Sequence, residues 1–181
     1  MHKNLLKKYY FIEKFEKSNL HIQNKNTTII YRNYRKPYNL KKILDLKNYC
    51  KTKGHKFIMA NNIKLAMKLN LDGVYLPSFN KNYKHLSFKF KKNFILIGSA
   101  HNLKEIRVKE LQKVSEIFLS SIFKRNSNYL GINKFKILSN LSNRKIIALG
   151  GVSDDKIKSL GLTQCDGFAG ISFFVLSTGA E

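Results

Sequence analysis

Eight short apolar runs recur along this 181-residue chain, separated by segments of a different period. Each run is rich in Ile, Val, Phe or Tyr and ends in polar or small residues. Strands of a parallel sheet are buried on both faces, and they therefore read as continuous apolar runs of this kind. We predict strands at 9–15, 27–33, 56–61, 72–78, 93–100, 116–123, 145–151 and 166–174.

Most segments between these runs carry a helical pattern. Residues 39–54 begin with an asparagine suited to capping and end with a glycine, and residues 153–161 begin with a serine and two aspartates and also end with a glycine. Helices are also predicted over 63–71 and 101–114. The connection at 79–92 shows little helical pattern.

Strands that alternate with helices limit the choice of fold. Because each parallel crossover needs a helix, the pattern predicts a single α/β domain over 1–181, a compact (β/α)₈ TIM barrel. Such barrels usually begin at roughly 200 residues. The helices must therefore be trimmed, and the tail FFVLSTGAE is too short for a full closing helix. An open doubly wound sheet is the main alternative, although no Gly-rich dinucleotide or P-loop motif follows any run.

The formal net charge of +23 raises the question of a nucleic-acid partner. Lysine supplies all but five of the 34 basic residues, asparagine is abundant and tryptophan is absent, a composition typical of an A/T-rich genome. The lysines are dispersed, whereas a specific nucleic-acid surface favours clustered arginine. We therefore do not expect nucleic acid as a partner, and that hypothesis rests on charge alone. The charge would still attract anionic small molecules to a cleft.

The sequence shows no membrane span, no signal peptide and no cysteine motif. No apolar run approaches the roughly 18 apolar residues of a membrane span, and the N-terminal segment does not resemble a signal peptide. We therefore expect a cytoplasmic protein with no membrane contact, while the sequence sets no oligomeric state. Cys50 and Cys165 lie far apart without metal-site spacing, so free, buried thiols are predicted.

The last two runs carry the clearest candidate site. Active sites of such barrels lie at the carboxyl ends of the strands, and phosphate commonly binds after strands seven and eight. The seventh run ends on Gly150 and Gly151, and the eighth on Gly170, Ile171 and Ser172. Glycine lets backbone N–H groups approach an anion. We predict phosphate binding by Gly150, Gly151, Ile171 and Ser172; in the alternative interpretation, the glycines serve only tight turns.

Four segments together carry a resemblance to a known family, through their order and spacing: FIMANNIKLAMKLNLDGVYLP, GSAHNLKEI, SSIFKRNSNYLGI, and ALGGV followed by DGFAGIS. Together they make the chain, from about Tyr9 to Phe174, resemble the thiamine-phosphate synthase and thiazole-tautomerase family of barrels. The resemblance implies a transferase of thiamine biosynthesis. Such an enzyme joins a hydroxymethylpyrimidine diphosphate to a thiazole phosphate with loss of pyrophosphate. It also implies Mg²⁺ as a cofactor and phosphorylated small molecules as substrates.

The same resemblance implies roles for individual residues. The two magnesium-binding aspartates of the family fall on Asn61 and Asn80, and Asn62 replaces a neighbouring arginine. Because Mg²⁺ usually requires one or two carboxylates, we expect a weakened metal site. No catalytic residue is assigned, and the implied substrate- or diphosphate-binding residues are Arg32, Asn61, Ser99, Arg125 and Ser127.

Departures from the family pattern leave two functional hypotheses open. Ile30, Tyr34 and Asn128 replace polar or charged residues of the synthases, and Ser121 stands where the tautomerases have their catalytic histidine. The chain is then either a divergent synthase or a catalytically altered relative that binds a phosphorylated, thiamine-related molecule.

The remaining polar residues have structural interpretations. We predict that His101 caps or packs a helix, and that His55 and His85 are exposed in lysine-rich segments. Asp72 and Asp166 lie at strand entrances, at the end of a barrel that serves stability rather than catalysis.

Overall fold

The computed structural model describes residues 6–34 and 37–175. Eight parallel strands form a closed barrel in chain order, and the first strand pairs with both the second and the eighth. This closure confirms the TIM barrel and excludes the open sheet. The strands are β1 Lys7–Ile12, β2 Thr27–Tyr31, β3 Phe57–Ala60, β4 Gly73–Leu76, β5 Ile95–Ala100, β6 Glu116–Ser120, β7 Lys145–Leu149 and β8 Gly167–Gly170.

The helices are trimmed, as the chain length predicts. In the described part of the chain, β4 and β8 are followed only by short 3-10 helices, at Lys84–Ser87 and Ser172–Phe174. The α-helices are α1 Lys17–His21, α2 Leu40–Lys53, α3 Ile63–Lys68, α4 Leu103–Leu111, α5 Gly131–Asn140 and α6 Asp154–Leu160. Helices α1 and α5 are not among the helices predicted from the sequence.

The ends of helices α2 and α6, both predicted from the sequence, are capped differently. Asn39 accepts a hydrogen bond from the Lys42 N–H at 3.0 Å, and Gly54 ends α2 in the left-handed conformation at φ 75°. Ser153 precedes α6 without a side-chain capping bond. Gly161 ends α6 at φ −62°, so its terminal position does not depend on glycine.

All eight strands are shorter than their apolar runs predict, and three of them end at least three residues early. β1 ends at Ile12 instead of residue 15, β6 at Ser120 instead of 123, and β8 at Gly170 instead of 174. The apolar residues beyond these ends pack against the outer core as loop or 3-10 residues: Phe15, Ile122, Phe123, Phe173 and Phe174. An apolar run alone does not distinguish a strand from such a loop.

The sheet separates two cores. Alternate strand residues point outward and pack under the helices, while the inward set fills the barrel. Inside the barrel, the Phe118 ring lies 5.0 Å from Tyr9, and 5.6 Å from both Phe11 and Tyr75. The barrel interior is therefore packed with aromatic rings, so a ligand must bind outside this packed interior, at one end of the barrel.

Side chains from α4 and its end support the long β4–β5 connection. The fully buried Lys109 donates to the carbonyl oxygens of Pro77 at 2.8 Å and Asn80 at 2.7 Å. Gln112 donates to the Asn82 carbonyl at 2.9 Å. Burial lowers the pKa of Lys109 to about 8, so the ammonium is still charged at neutral pH. These bonds hold a connection that has no α-helix of its own.

Two histidine predictions are wrong. His55 is 5% exposed and His85 is 2% exposed. His55 Nδ1 lies 3.1 Å from the Thr27 carbonyl oxygen, and His85 Nε2 lies 2.8 Å from that of Gln112. Each imidazole forms a backbone hydrogen bond in a buried site, which a lysine-rich neighbourhood in the sequence does not reveal.

Other expectations agree with the structure. Asp72 and Asp166 accept hydrogen bonds from the N–H groups of Phe57 at 2.8 Å and Ile146 at 3.2 Å, so each carboxylate ties two strand entrances together. Both cysteines are free, although only Cys50 is fully buried. Within the described ranges, no helix has the length and apolar character needed to cross a membrane.

Candidate functional site

A cavity of about 390 Å³ opens at the carboxyl ends of β1, β2 and β5 to β8. This volume lies within the range of small-molecule sites. Five residues singled out from the sequence line it together: Arg32, Gly150, Gly151, Ile171 and Ser172. The barrel thus brings the end of the second strand next to the ends of the last two.

The glycine pair after β7 is required by close packing. Gly150 and Gly151 have φ values of 99° and 76°, which favour glycine. A Cβ atom at Gly150 would lie 2.3 Å from Ser121 Oγ, and one at Gly151 would lie 2.6 Å from the Lys124 nitrogen. The tight turn is therefore one reason for glycine at positions 150 and 151, because the β6–α5 loop lies directly on this turn.

Backbone donors surround the same cavity. In the part of the chain that the structure describes, the N–H groups of Gly151, Val152, Ile171 and Ser172 donate to no backbone acceptor. All four residues line the cavity. Clustered N–H groups without a protein acceptor form a concave surface suited to anionic oxygen atoms. The geometry is therefore compatible with the predicted phosphate cradle.

Lys124 supplies a cation that the sequence analysis missed. Its N–H donates to the Gly150 carbonyl at 3.1 Å, and its own carbonyl accepts from Ser121 Oγ at 2.8 Å. The backbone is thus fixed, and the residue lines the cavity. Arg125 and Ser127, which are exposed like Lys124 itself, lie outside the lining. No sequence signal separates adjacent Lys124 and Arg125; the turn of the loop decides which of the two residues lines the cavity.

Arg32 lies at the mouth of the barrel beside an aromatic ring. Its guanidinium carbon lies 5.3 Å from the centre of the Phe11 ring, and Nη2 lies 3.2 Å from Glu13 Oε1. Glu13 is largely exposed, so this ion pair is weak. The Phe11 ring beneath the guanidinium therefore contributes to its orientation. Because the ion pair is weak, the positive charge of Arg32 remains available to a ligand.

His101 also lines the cavity, a position that its predicted capping role does not include. Its Nδ1 lies 2.8 Å from Glu105 Oε2, which also accepts the His101 backbone N–H at 2.8 Å. The helix cap itself is Asn102, whose Oδ1 accepts the Glu105 N–H at 3.0 Å. Because Nδ1 faces the carboxylate, Nε2 is the ring nitrogen left for another partner.

Ser99 lies below the cavity and is only 3% exposed. Its Oγ accepts a hydrogen bond from the Tyr75 hydroxyl at 2.8 Å. Burial raises the pKa of Tyr75 to about 12, so the phenol stays protonated and acts as the donor. Ser99 is not among the residues that line the cavity.

Asn61 and Asn80 line a second, smaller cavity of about 250 Å³ at the ends of β3 and β4. Asn80 Nδ2 donates to Asn61 Oδ1 at 2.6 Å. Asn61 has a φ of 54°, a conformation that asparagine tolerates, and Asn62 caps α3 by accepting the Leu65 N–H at 3.1 Å. The structure does not bring Asn61 and Asn80 into the cavity of Arg32.

Comparison with known proteins identifies the family. The family model described as "Thiamine monophosphate synthase" matches residues 12–174, nearly the whole described chain. The chain belongs to this family. The resemblance found in the sequence is thereby confirmed.

Individual relatives of the thiamine monophosphate synthase family are distant. A putative thiamine-phosphate synthase 2 of Aquifex aeolicus is 33% identical over 132 residues, which cover 68% of this chain and 69% of the relative. A thiamine-phosphate synthase of Methanococcus vannielii is 24% identical over 123 residues, 66% of this chain and 59% of that protein. The chain thus matches about three fifths of the length of the latter.

Solved structures agree on the barrel. A thiamine phosphate pyrophosphorylase from Pyrococcus furiosus superposes with a TM-score of 0.72 at 19% identity, over 92% of this chain and 86% of that one. A thiamine phosphate pyrophosphorylase from Bacteroides thetaiotaomicron gives 0.67 at 15% identity, over 98% and 90%. At these identities the likeness establishes the fold alone.

The magnesium ion that the thiamine monophosphate synthase family implies is a poor match to the donors at β3 and β4. Asn61 Oδ1 accepts from Asn80, and Asn80 Oδ1 accepts the Asn82 N–H at 2.9 Å. Neither position is a carboxylate. Across the described residues, no group of three or more His, Cys, Asp and Glu side chains could hold a metal. The donors at this position therefore do not fit Mg²⁺.

Proposed function

We propose that this chain is a thiamine-phosphate synthase that joins hydroxymethylpyrimidine diphosphate to a thiazole phosphate and releases pyrophosphate. One observation carries the proposal. A single cavity at the catalytic end of the barrel combines two cations, Arg32 and Lys124, with the backbone donors that follow β7 and β8. Family membership supports the choice of substrates.

The reaction requires charge stabilisation more than proton transfer. The bond between the pyrimidine methylene carbon and the diphosphate oxygen breaks, and its electron pair leaves with pyrophosphate. The thiazole ring nitrogen then donates its lone pair to that carbon. Neither step transfers a proton or changes an oxidation state overall, so the protein must chiefly stabilise the departing negative charge. This requirement is consistent with a site of cations and N–H groups.

The proposed arrangement assigns one phosphate group to each side of the cavity. The thiazole phosphate accepts hydrogen bonds from N–H groups after β7 and β8, including those of Gly151 and Ile171. Arg32 and Lys124 neutralise part of the charge on the departing diphosphate. The overall charge of +23 favours the approach of both anionic substrates.

Lys124 and its neighbour provide a matched test. Steady-state kinetics with both substrates should show Lys124→Ala lowering kcat/KM at least about tenfold, the loss expected for removing one charge-stabilising group. Arg125→Ala, one residue away and outside the cavity lining, should stay within about twofold of the wild type. A larger loss in Arg125→Ala than in Lys124→Ala would contradict the assignment of the loop cation.

The second hypothesis from the sequence makes a different prediction. A catalytically altered relative would bind thiazole phosphate in a calorimetric titration and yet form no thiamine phosphate when both substrates are present. That pair of results would replace the synthase proposal with a binding function. Product formation by the wild type excludes it.

A further inference from the structure

Lys109 is a buried cation surrounded by neutral oxygen atoms. Its three ammonium N–H groups match three acceptors, the carbonyl oxygens of Pro77 and Asn80 at 2.8 and 2.7 Å and Gln112 Oε1 at 2.9 Å. In the described ranges it forms no ion pair with a carboxylate. Lysine is almost never fully buried without a charged partner. The three oxygen atoms around this ammonium resemble the oxygen shell of a bound metal ion.

The barrel provides space for this side chain. A Cβ atom at Gly98 on β5 would lie 2.7 Å from Lys109 Cδ and 3.0 Å from its Cγ. Any larger residue at position 98 would block the path of the lysine across the strand. The glycine therefore allows the ammonium to reach from α4 to the β4–β5 connection.

The ammonium is linked to the two asparagines at the ends of β3 and β4. The Asn80 carbonyl accepts from Lys109 and also from Gln112 Nε2 at 3.1 Å. The Asn80 side chain in turn donates to Asn61 at 2.6 Å. One internal cation thus organises the positions at which the family resemblance implies magnesium-binding aspartates.

Charge makes the two kinds of cation mutually exclusive here. A divalent ion at Asn61 and Asn80 would lie close to a fixed ammonium, and neither position supplies a carboxylate to offset the repulsion. The two asparagines and the buried lysine are therefore consistent with each other as a set.

We propose that Lys109 is a positioning residue that takes the place of a divalent cation at the ends of β3 and β4, so that this chain binds no Mg²⁺ there. The ammonium orders the β4–β5 connection and the Asn61–Asn80 pair without metal. Mg²⁺ binding at this position can be measured on the protein alone and does not depend on the reaction proposed above.

The first measurement uses the wild-type protein with Mg²⁺ as the only probe. The midpoint of thermal unfolding in millimolar Mg²⁺ should equal that in EDTA to within about 1 °C, with ionic strength matched by NaCl. Calorimetric titration of Mg²⁺ should show no saturable heat. Saturable binding with a rise of several degrees would overturn the proposal.

The second measurement tests whether the Lys109 ammonium prevents Mg²⁺ from binding at positions 61 and 80. In Asn61→Asp/Asn80→Asp, the retained Lys109 should pair with the new carboxylates, and Mg²⁺ should not raise the unfolding midpoint. Adding Lys109→Met removes the ammonium at similar length, and Mg²⁺ should then raise the midpoint by several degrees. Lys113→Met, an exposed position just after α4, should give no such response when added to the same double variant.

Two results would contradict this role. An Mg²⁺ response in the Asp double variant as large as in the Lys109→Met triple variant would show that the ammonium does not exclude the ion. No response in a folded triple variant would show that Lys109 is a packing residue only. If the triple variant does not fold, Lys109→Gln in the same background replaces it, because glutamine keeps a donor without the charge and carries the same prediction.

Discussion

Gly151 combines backbone conformation, loop packing and the proposed phosphate contact in one residue. Its φ of 76° and the 2.6 Å approach of a Cβ to the Lys124 nitrogen both exclude a side chain. The same absence of a side chain leaves its N–H at the surface of the cavity. A substitution here should affect stability and ligand binding together.

We expect Gly151→Ala to lower the free energy of unfolding by about 2–3 kcal/mol, because a left-handed conformation and a backbone clash act together. Gly161→Ala is the matched control, since Gly161 has a φ of −62°. It should change stability by less than about 1 kcal/mol. Urea unfolding of both variants measures the difference, and equal losses would contradict the packing described for the β7 turn.

For single residues, the sequence shows which residue type stands at a position more readily than where its side chain lies in the fold. The loss of carboxylates at Asn61 and Asn80 is visible in the sequence, and so are the glycines of the phosphate cradle. The choice of Lys124 over Arg125, and the path of Lys109 past Gly98, depend on backbone geometry built from distant segments. Neither could be predicted from spacing.

Among the elements, local signals succeed where they agree with the tertiary structure. Helix α2 has both an asparagine cap and a left-handed glycine end, and its predicted bounds are confirmed. Helix α5 begins at Gly131 with a φ of 65°, and a glycine there reads as a chain break in the sequence. The β4–β5 connection has no α-helix, and the side chains of Lys109 and Gln112 donate to its carbonyl groups instead.

For the molecule as a whole, the rhythm of apolar runs predicts eight strands joined by helices, and the pairing of β1 with β8 decides for the barrel over the open sheet. The runs extend beyond the strand ends, since apolar loop residues such as Ile122 continue the same pattern. The candidate site is a property of closure, because only a closed barrel places Arg32 beside Gly150.

Global stability should also depend on the buried His55. Burial lowers the pKa of His55 in the folded chain, so the unfolded chain takes up the proton first as pH falls. The contribution of His55 is therefore complete above about pH 6.5 and is lost as pH drops through the folded pKa. Denaturant unfolding between about pH 7.5 and 5 should show a smaller loss of stability in His55→Gln than in the wild type. An identical pH dependence would contradict this account.

We expect the cavity at the ends of β1, β2 and β5 to β8 to perform the condensation proposed above. Wild-type protein incubated with hydroxymethylpyrimidine diphosphate and thiazole phosphate should form thiamine phosphate and pyrophosphate in equal amounts, quantified by chromatography. Product should depend on both substrates and on active protein. Pyrophosphate release without thiamine phosphate, or neither product above the protein-free control, would contradict the account.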